Sequence, residues 1–194
     1  LHKLGVEIME NSPIKEVRPN FVKVGEAEGK TQNISADFII WTAGVRASAF
    51  LQNFSGLDLD GRGRIKVSPE MQAGGYQNVW ALGDNAVFND PITQKPIPGL
   101  AYVAANQAKI IAENIKRVLS GKKLKPYNPF YGVWIVPVGG KFAVAHLGRS
   151  LTVHGLAGWF IRLIVDLRYF VSILSFSKAV GLFEREVKIF TKND

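Results

Sequence analysis

Hydrophobic positions change rhythm along the chain. Up to residue 45 they form short β-type runs separated by turn residues: Val6 to Met9, Ile14 to Val17, Phe21 to Val24 and, after a polar stretch rich in Gly and Glu, Phe38 to Thr42. Phe38, Ile39, Ile40 and Trp41 are apolar without interruption and stop at Ala43 and Gly44, the pattern of a strand buried on both faces of a parallel sheet. Val79 to Leu82 has the same character and stops at Gly83 and Asp84. Between these runs Asp60, Gly61 and Gly63 predict a turn into a short strand, Arg64 to Val67.

The rhythm then becomes helical. From Leu100 to Leu119, Val103, Ala104, Gln107, Ile110, Ile111, Asn114, Ile115 and Val118 recur at helix spacing, with Gly121 as the stop. Pro126 and Pro129 mark a linker, and Val133 to Val138 and Phe142 to Leu147 flank Gly139 and Gly140 as a hairpin. Trp159, Phe160, Leu163, Ile164, Leu167, Phe170, Val171 and Leu174 make a wide helical stripe, with Arg162, Asp166 and Arg168 expected on the opposite side. The longest uncharged run in this region, Ser150 to Ile161, is far short of the about 20 apolar residues that span a bilayer.

Charge separates the same regions. The chain of 194 residues carries +8, of which residues 1 to 119 contribute +1 and residues 120 to 194 contribute +7. The basic character therefore belongs to the C-terminal third, where it accompanies apolar residues. Arg149, Arg162, Arg168, Lys178 and Arg185 surround the stripe, a combination that favours an anionic membrane surface, with an ordinary core or dimer helix as the competing reading. Nucleic acid would ask for aromatics interleaved with base-reading polar groups, and this tail offers Leu, Ile, Val and Phe. The absence of cysteine removes thiolate metal sites, iron-sulfur clusters, disulfides and thiol catalysis. His2, His146 and His154 lack metal-ligand spacing.

The sharpest chemical signal is Val79-Trp80-Ala81-Leu82-Gly83-Asp84. A strand ending at Gly83 lets the backbone approach a ligand, and Asp84 at its carboxyl end can accept hydrogen bonds from sugar-like hydroxyls. A plain turn aspartate explains the same residue equally well. The helix beginning near Leu100 adds free amides and a positive dipole end, a site for negative charge beside the hydroxyl acceptor.

This pairing resembles the second flavin-binding signature of two-dinucleotide-domain flavoproteins. Ala36 to Val45 (ADFIIWTAGV), Asp60 to Val67 (DGRGRIKV) and the basic, apolar tail further resemble type II NADH dehydrogenases, in order along nearly the whole chain. The resemblance implies an α/β fold: part of a two-dinucleotide-binding-domain, Rossmann-like flavoprotein, plus a C-terminal α+β membrane-binding domain. It implies residues 1–45 as the end of an NADH domain, 46–120 as the C-terminal part of an FAD domain, and 121–194 as the membrane-associated domain. By the same resemblance, Gly83, Asp84, Ala101 and Tyr102 contact FAD, with Asp84 on the ribityl chain. Ala43 and Gly44 lie near the nicotinamide of NADH, and Tyr102, Asn106, Gln107 and Tyr131 belong to a quinone site. A homodimer, peripheral on the cytoplasmic face of a membrane through residues 151–194, completes what it implies.

The match departs from the family pattern at the quinone site. Tyr102 stands where the family has a glutamine, and Phe130-Tyr131-Gly132 where it often has Asp-Lys-Gly. For Tyr102 and Tyr131, core packing competes with a pocket role. No G-x-G-x-x-G occurs, so both pyrophosphate-binding turns of a complete enzyme are expected upstream of Leu1. Two rival readings are a disulfide or sulfide reductase of the same architecture and a non-catalytic membrane-surface module.

Overall fold

The computed structural model describes residues 1–2, 5–25, 29–148 and 150–191. Arg149, counted above among the basic residues of the tail, lies outside them. The chain divides into two compact units, Leu1–Gly44 and Val45–Asp194.

The first unit is an antiparallel meander of β1 (Ile14–Arg18), β2 (Phe21–Gly25) and β3 (Thr31–Ser35). Pro19 and Asn20 form the first turn, and the register sets Val17 opposite Val22 and Val22 opposite Ile34. Glu16 faces Lys23 across the strands, with ion pairs to Lys23 at 3.0 Å and to Arg18 at 2.6 Å. Two expected strands are absent. Val6 to Met9 and Phe38 to Thr42 are irregular and form no ladder among the described residues, Phe38 being 81% and Ile40 73% exposed. An isolated run cannot satisfy its own amides as a strand does. The apolar pattern thus requires neighbours on each side that this unit does not supply.

The second unit is mixed α and β. Its first core surrounds the completely buried Met71, with Phe88, Ile97, Val103, Ile111 and Tyr127. The segment Val79 to Leu82, expected as a parallel strand, instead meets residues 71–73 in an antiparallel bridge: Ala73 donates to Val79 and Ala81 to Met71. Parallel pairing comes one step later, between β4 (Ile65–Lys66) and β5 (Ala86–Val87).

Helix α1 (Ala101–Leu119) follows the predicted range and buries Val103, Gln107, Ile111 and Asn114, while Ile115 and Val118 are exposed. Its end is a Schellman motif: Gly121, at φ +63°, donates to Val118, and Lys122 donates to Arg117. Asn114 is fully buried and cross-links the linker. Its side-chain amide donates to the carbonyls of Glu70 (3.2 Å) and Lys125 (2.8 Å), and its Oδ1 accepts from the Lys125 amide (2.9 Å).

The rest is a three-stranded antiparallel sheet, β6 (Val133–Gly139), β7 (Phe142–Leu147) and β8 (Leu151–Gly155), followed by α2 (Leu156–Ile173) and α3 (Phe176–Thr191). Ala143 and Ala145 present small side chains to α2, and a Cβ on Gly158 would collide with the Ala143 carbonyl, so helix and strand touch at backbone distance. The pattern did not foresee α3, and its presence overturns one expectation. Arg162 and Asp166 are not an outer polar face: α3 folds over them, leaving Arg162 only 8% exposed. Among the described residues no helix is long and apolar enough to cross a membrane.

Asn114→Ala strands the Lys125 amide and two carbonyls. Unfolding by urea should show the second unit destabilised by about 2 to 3 kcal/mol, the cost of leaving buried polar groups unpaired.

Candidate functional site

Gly83 to Asn85 form one turn of 3-10 helix laid against the start of α1. Gly83 sits at φ +60°, and a Cβ there would lie 3.3 Å from the Ala104 methyl, so its lack of a side chain permits both the turn and the close packing. Its amide donates to Gln107 Oε1 at 2.8 Å, a bond from the middle of the helix to the turn.

Asp84 is exposed, and its carboxylate projects toward Gly99: a Cβ on Gly99 would come within 2.7 Å of Asp84 Oδ1. Among the described residues its carboxylate has no hydrogen-bond or ion-pair partner. The adjoining amino end of α1 begins at Leu100 without a side-chain cap and without an acidic residue in its first turn. The first amide of the helical ladder is that of Ala104, bonded to Leu100, so those of Ala101, Tyr102 and Val103 point free of it. A free acceptor thus adjoins free donors and a positive dipole end. These groups fit a ligand that carries hydroxyls and a ring able to become anionic. The placement also corrects one detail: Asp84 occupies a 3-10 turn ahead of β5, not the carboxyl end of a parallel strand.

The expected quinone residues separate. Gln107 is buried with its oxygen committed to Gly83, and Asn106 is half-buried beside it. Tyr131 donates its hydroxyl to Asp90 Oδ2 at 2.7 Å. That bond, with the amides of Thr93 and Ile92, holds the Asp90 carboxyl below the usual range and pushes the Tyr131 phenol up. Only Tyr102 lines an apolar cavity of about 440 Å³ between α1, β6 and α2, together with Phe130, Trp134, Val165, Asp166 and Tyr169 among others. Its ring meets Phe130 edge-on at 6.4 Å, and its hydroxyl, like that of Tyr127, is buried without a hydrogen-bond partner among the described residues. Burial, and then the neighbouring Tyr102, push the Tyr127 phenol up.

Sequence reasoning missed the α2 wall of this cavity. The available signal was the spacing: Arg162 and Asp166, four residues apart, share a helix face and pair at 3.0 Å. Ala43 and Gly44 close the first unit, both exposed, with Gly44 at φ +86°.

Comparison with known proteins shows the family and the fold. Residues 1–108, more than half of the chain, match the family described as pyridine nucleotide-disulphide oxidoreductase. A type II NADH:quinone oxidoreductase of Mycobacterium tuberculosis is 32% identical over 177 residues, covering 88% of this chain and 37% of the relative. One from Staphylococcus aureus is 32% identical over 128 residues, covering 66% and 31%. The chain therefore spans about a third of the curated relatives it matches. Among solved structures, NDH2 from Plasmodium falciparum in complex with NADH superposes with a TM-score of 0.77 at 13% identity, over 96% of this chain and 52% of that one. The sulfide:quinone oxidoreductase of Aquifex aeolicus gives 0.64 at 17% identity, over 94% and 45%. At these identities both show a shared fold.

The Tyr131 contact has a testable acid signature. Asp90, held low when folded, contributes stability at pH values above its ordinary range and loses it as pH falls through the lowered value. Tyr131→Phe should bring that carboxyl back toward normal. Acid unfolding followed by tryptophan fluorescence should then begin at higher pH in the variant.

Proposed function

Because the chain belongs to the pyridine nucleotide-disulphide oxidoreductase family, we propose that it is part of a peripheral membrane flavoprotein that passes electrons from NADH through FAD to a quinone. The observation that carries this reading is the unpartnered Asp84 carboxylate beside the uncapped amino end of α1. FAD, when bound, supplies the two-electron relay between nicotinamide and acceptor. In this reading residues 46–120 complete the FAD domain, residues 1–45 end the NADH domain with Ala43 and Gly44 near the nicotinamide, and residues 121–194 form the membrane-associated domain.

Each group has a role its geometry suits. Asp84 accepts hydrogen bonds from the ribityl hydroxyls, and Gly83 keeps the backbone low enough for that approach. Ala101 and Tyr102 present free amides toward the pyrimidine edge of the ring, where the dipole favours negative charge. Gln107 acts indirectly, by fixing the Gly83 turn. The apolar cavity supplies aromatic walls for a quinone ring, with Tyr102 shared between the two sites. The names of the 32% identical relatives support the quinone.

The tail has the surface this reading needs. On α2, Leu156, Phe160, Ile164 and Val171 are exposed at helical spacing; Phe176 and Ile189 are exposed on α3, with Arg168, Lys178 and Arg185 also at the surface. Leaving water gains about 25 cal/mol per Å² of apolar area, and each basic residue near anionic lipid adds about 1 kcal/mol. A homodimer on the cytoplasmic face belongs to the same proposal.

Asp84→Ala in the intact protein should weaken FAD binding about tenfold to a hundredfold, the loss of a hydrogen bond to a charged group. Titration of the apoprotein with FAD measures it, and unchanged affinity would return Asp84 to a turn residue. Replacing the exposed Leu156, Phe160 and Ile164 by Ser should loosen the protein from membranes while it still reduces a water-soluble acceptor. High salt alone should release the parent protein from membranes only in part, and detergent should release it fully.

A further inference from the structure

The cavity between α1, β6 and α2 is apolar except along the wall formed by Arg162 and Asp166. Arg162 reaches two carboxylates: its Nε lies 3.0 Å from Asp166 Oδ2, and its Nη2 donates to Glu186 Oε1 at 2.8 Å. The guanidinium also stacks over the Phe190 ring, 4.1 Å from its centre. One cation therefore serves two carboxylates. Among the described residues no hydrogen-bond donor is aligned on the buried Asp166 Oδ2 and Glu186 Oε2. Of the two acidic residues, Asp166 and not Glu186 is among those that line the cavity.

We propose that Asp166 is the proton donor to the electron acceptor held in this cavity, with Arg162 as the residue that positions its carboxyl. The inference rests on the flavoprotein reading above and deepens it. Reducing a quinone to its quinol adds two electrons and two protons. The electrons and one proton come as a hydride equivalent from the NADH-reduced cofactor. The second proton leaves Asp166: its O–H bond breaks as the quinol O–H bond forms, and the carboxylate left behind faces Arg162 until water returns the proton.

The surroundings shift both carboxyls toward the protonated form. Burial pushes Asp166 up against the opposing pull of Arg162; burial and then the charge of Asp166 push Glu186 up, again against Arg162. The other ionisable groups lining the cavity are Tyr169 on α2 and Tyr102 on α1; β6 contributes only Val133, Trp134 and Ile135. On β7 and β8, His146 and His154 alternate in register with Ala145 and Val153; the His146 ring stacks at 5.3 Å on Trp134, a residue of the cavity wall, and is the histidine to be considered beside Asp166.

The test uses the intact FAD-loaded protein, reduced by NADH and mixed in stopped flow with a short-chain quinone or with ferricyanide, which takes electrons without protons. In the parent protein the quinone reaction should slow as pH rises through the raised range of Asp166, while ferricyanide shows no such limb. Asp166→Asn should slow quinone reduction roughly a hundredfold, the usual worth of a general acid, and abolish the limb. Flavin reduction by NADH and the ferricyanide reaction should be unchanged. Glu186→Gln, which loosens the same arginine outside the cavity, should keep a near-parent rate and move the limb to lower pH. Asp166→Glu should restore part of the rate. Infrared titration of the oxidised protein should show a protonated carboxyl above the ordinary range that Asp166→Asn removes. Equal slowing by Asp166→Asn and Glu186→Gln would mean a purely structural role and overturn the proposal. So would a parent quinone reaction without the pH limb, a result readable even if Asp166→Asn fails to assemble. A parent flavin reduced by NADH but never reoxidised by quinone would instead sink the functional reading, and the proposal with it.

Discussion

The bond from the Gly83 amide to Gln107 fixes the relation between a sharp turn and the helix it touches, and the candidate site follows from that relation. Because Gln107 sits two turns into α1, the turn is anchored to the helix body, and Asp84 is set beside the uncapped amino end without needing a contact of its own. Two turns farther on, Asn114 ties the same helix to Glu70 and Lys125. The linker then leads through Tyr127 and Phe130 to Tyr131, which closes on Asp90. Helix α1 is thus held by buried polar side chains along one stripe.

The C-terminal layer is built on the opposite principle. Its sheet face is reduced to Ala143 and Ala145 so that α2 can approach to backbone distance at Gly158, and β8 turns directly into α2 through Gly155 at φ +75°. Close packing on the sheet side leaves the long side chains of α2 for its other faces. There Arg162 is sealed beneath α3 with two carboxylates. Burying a guanidinium with two partly buried carboxyl groups is costly, and an apolar substitute of equal volume commonly serves stability as well or better.

The local grammar of the chain was legible in its residues. Helix α1 is readable from the spacing of Val103, Gln107, Ile111 and Asn114, its end from Gly121, and the β6–β7 hairpin from Gly139 and Gly140, because helix periodicity and positive φ are short-range properties. The turn at Gly83 and Asp84 was legible for the same reason. What pairs with what was not. Phe38 to Thr42 has the residues of a buried strand and forms no ladder among the described residues, and Val79 to Leu82 pairs antiparallel with its own neighbour, since strand pairing is decided by segments distant in sequence. Nor could periodicity alone tell whether a polar residue in an apolar helix faces water or another helix. Arg162 and Asp166 are covered because α3 returns over them, and Gln107 and Tyr131 bond to Gly83 and Asp90; only the tertiary structure, by bringing those partners to hydrogen-bond distance, decided that.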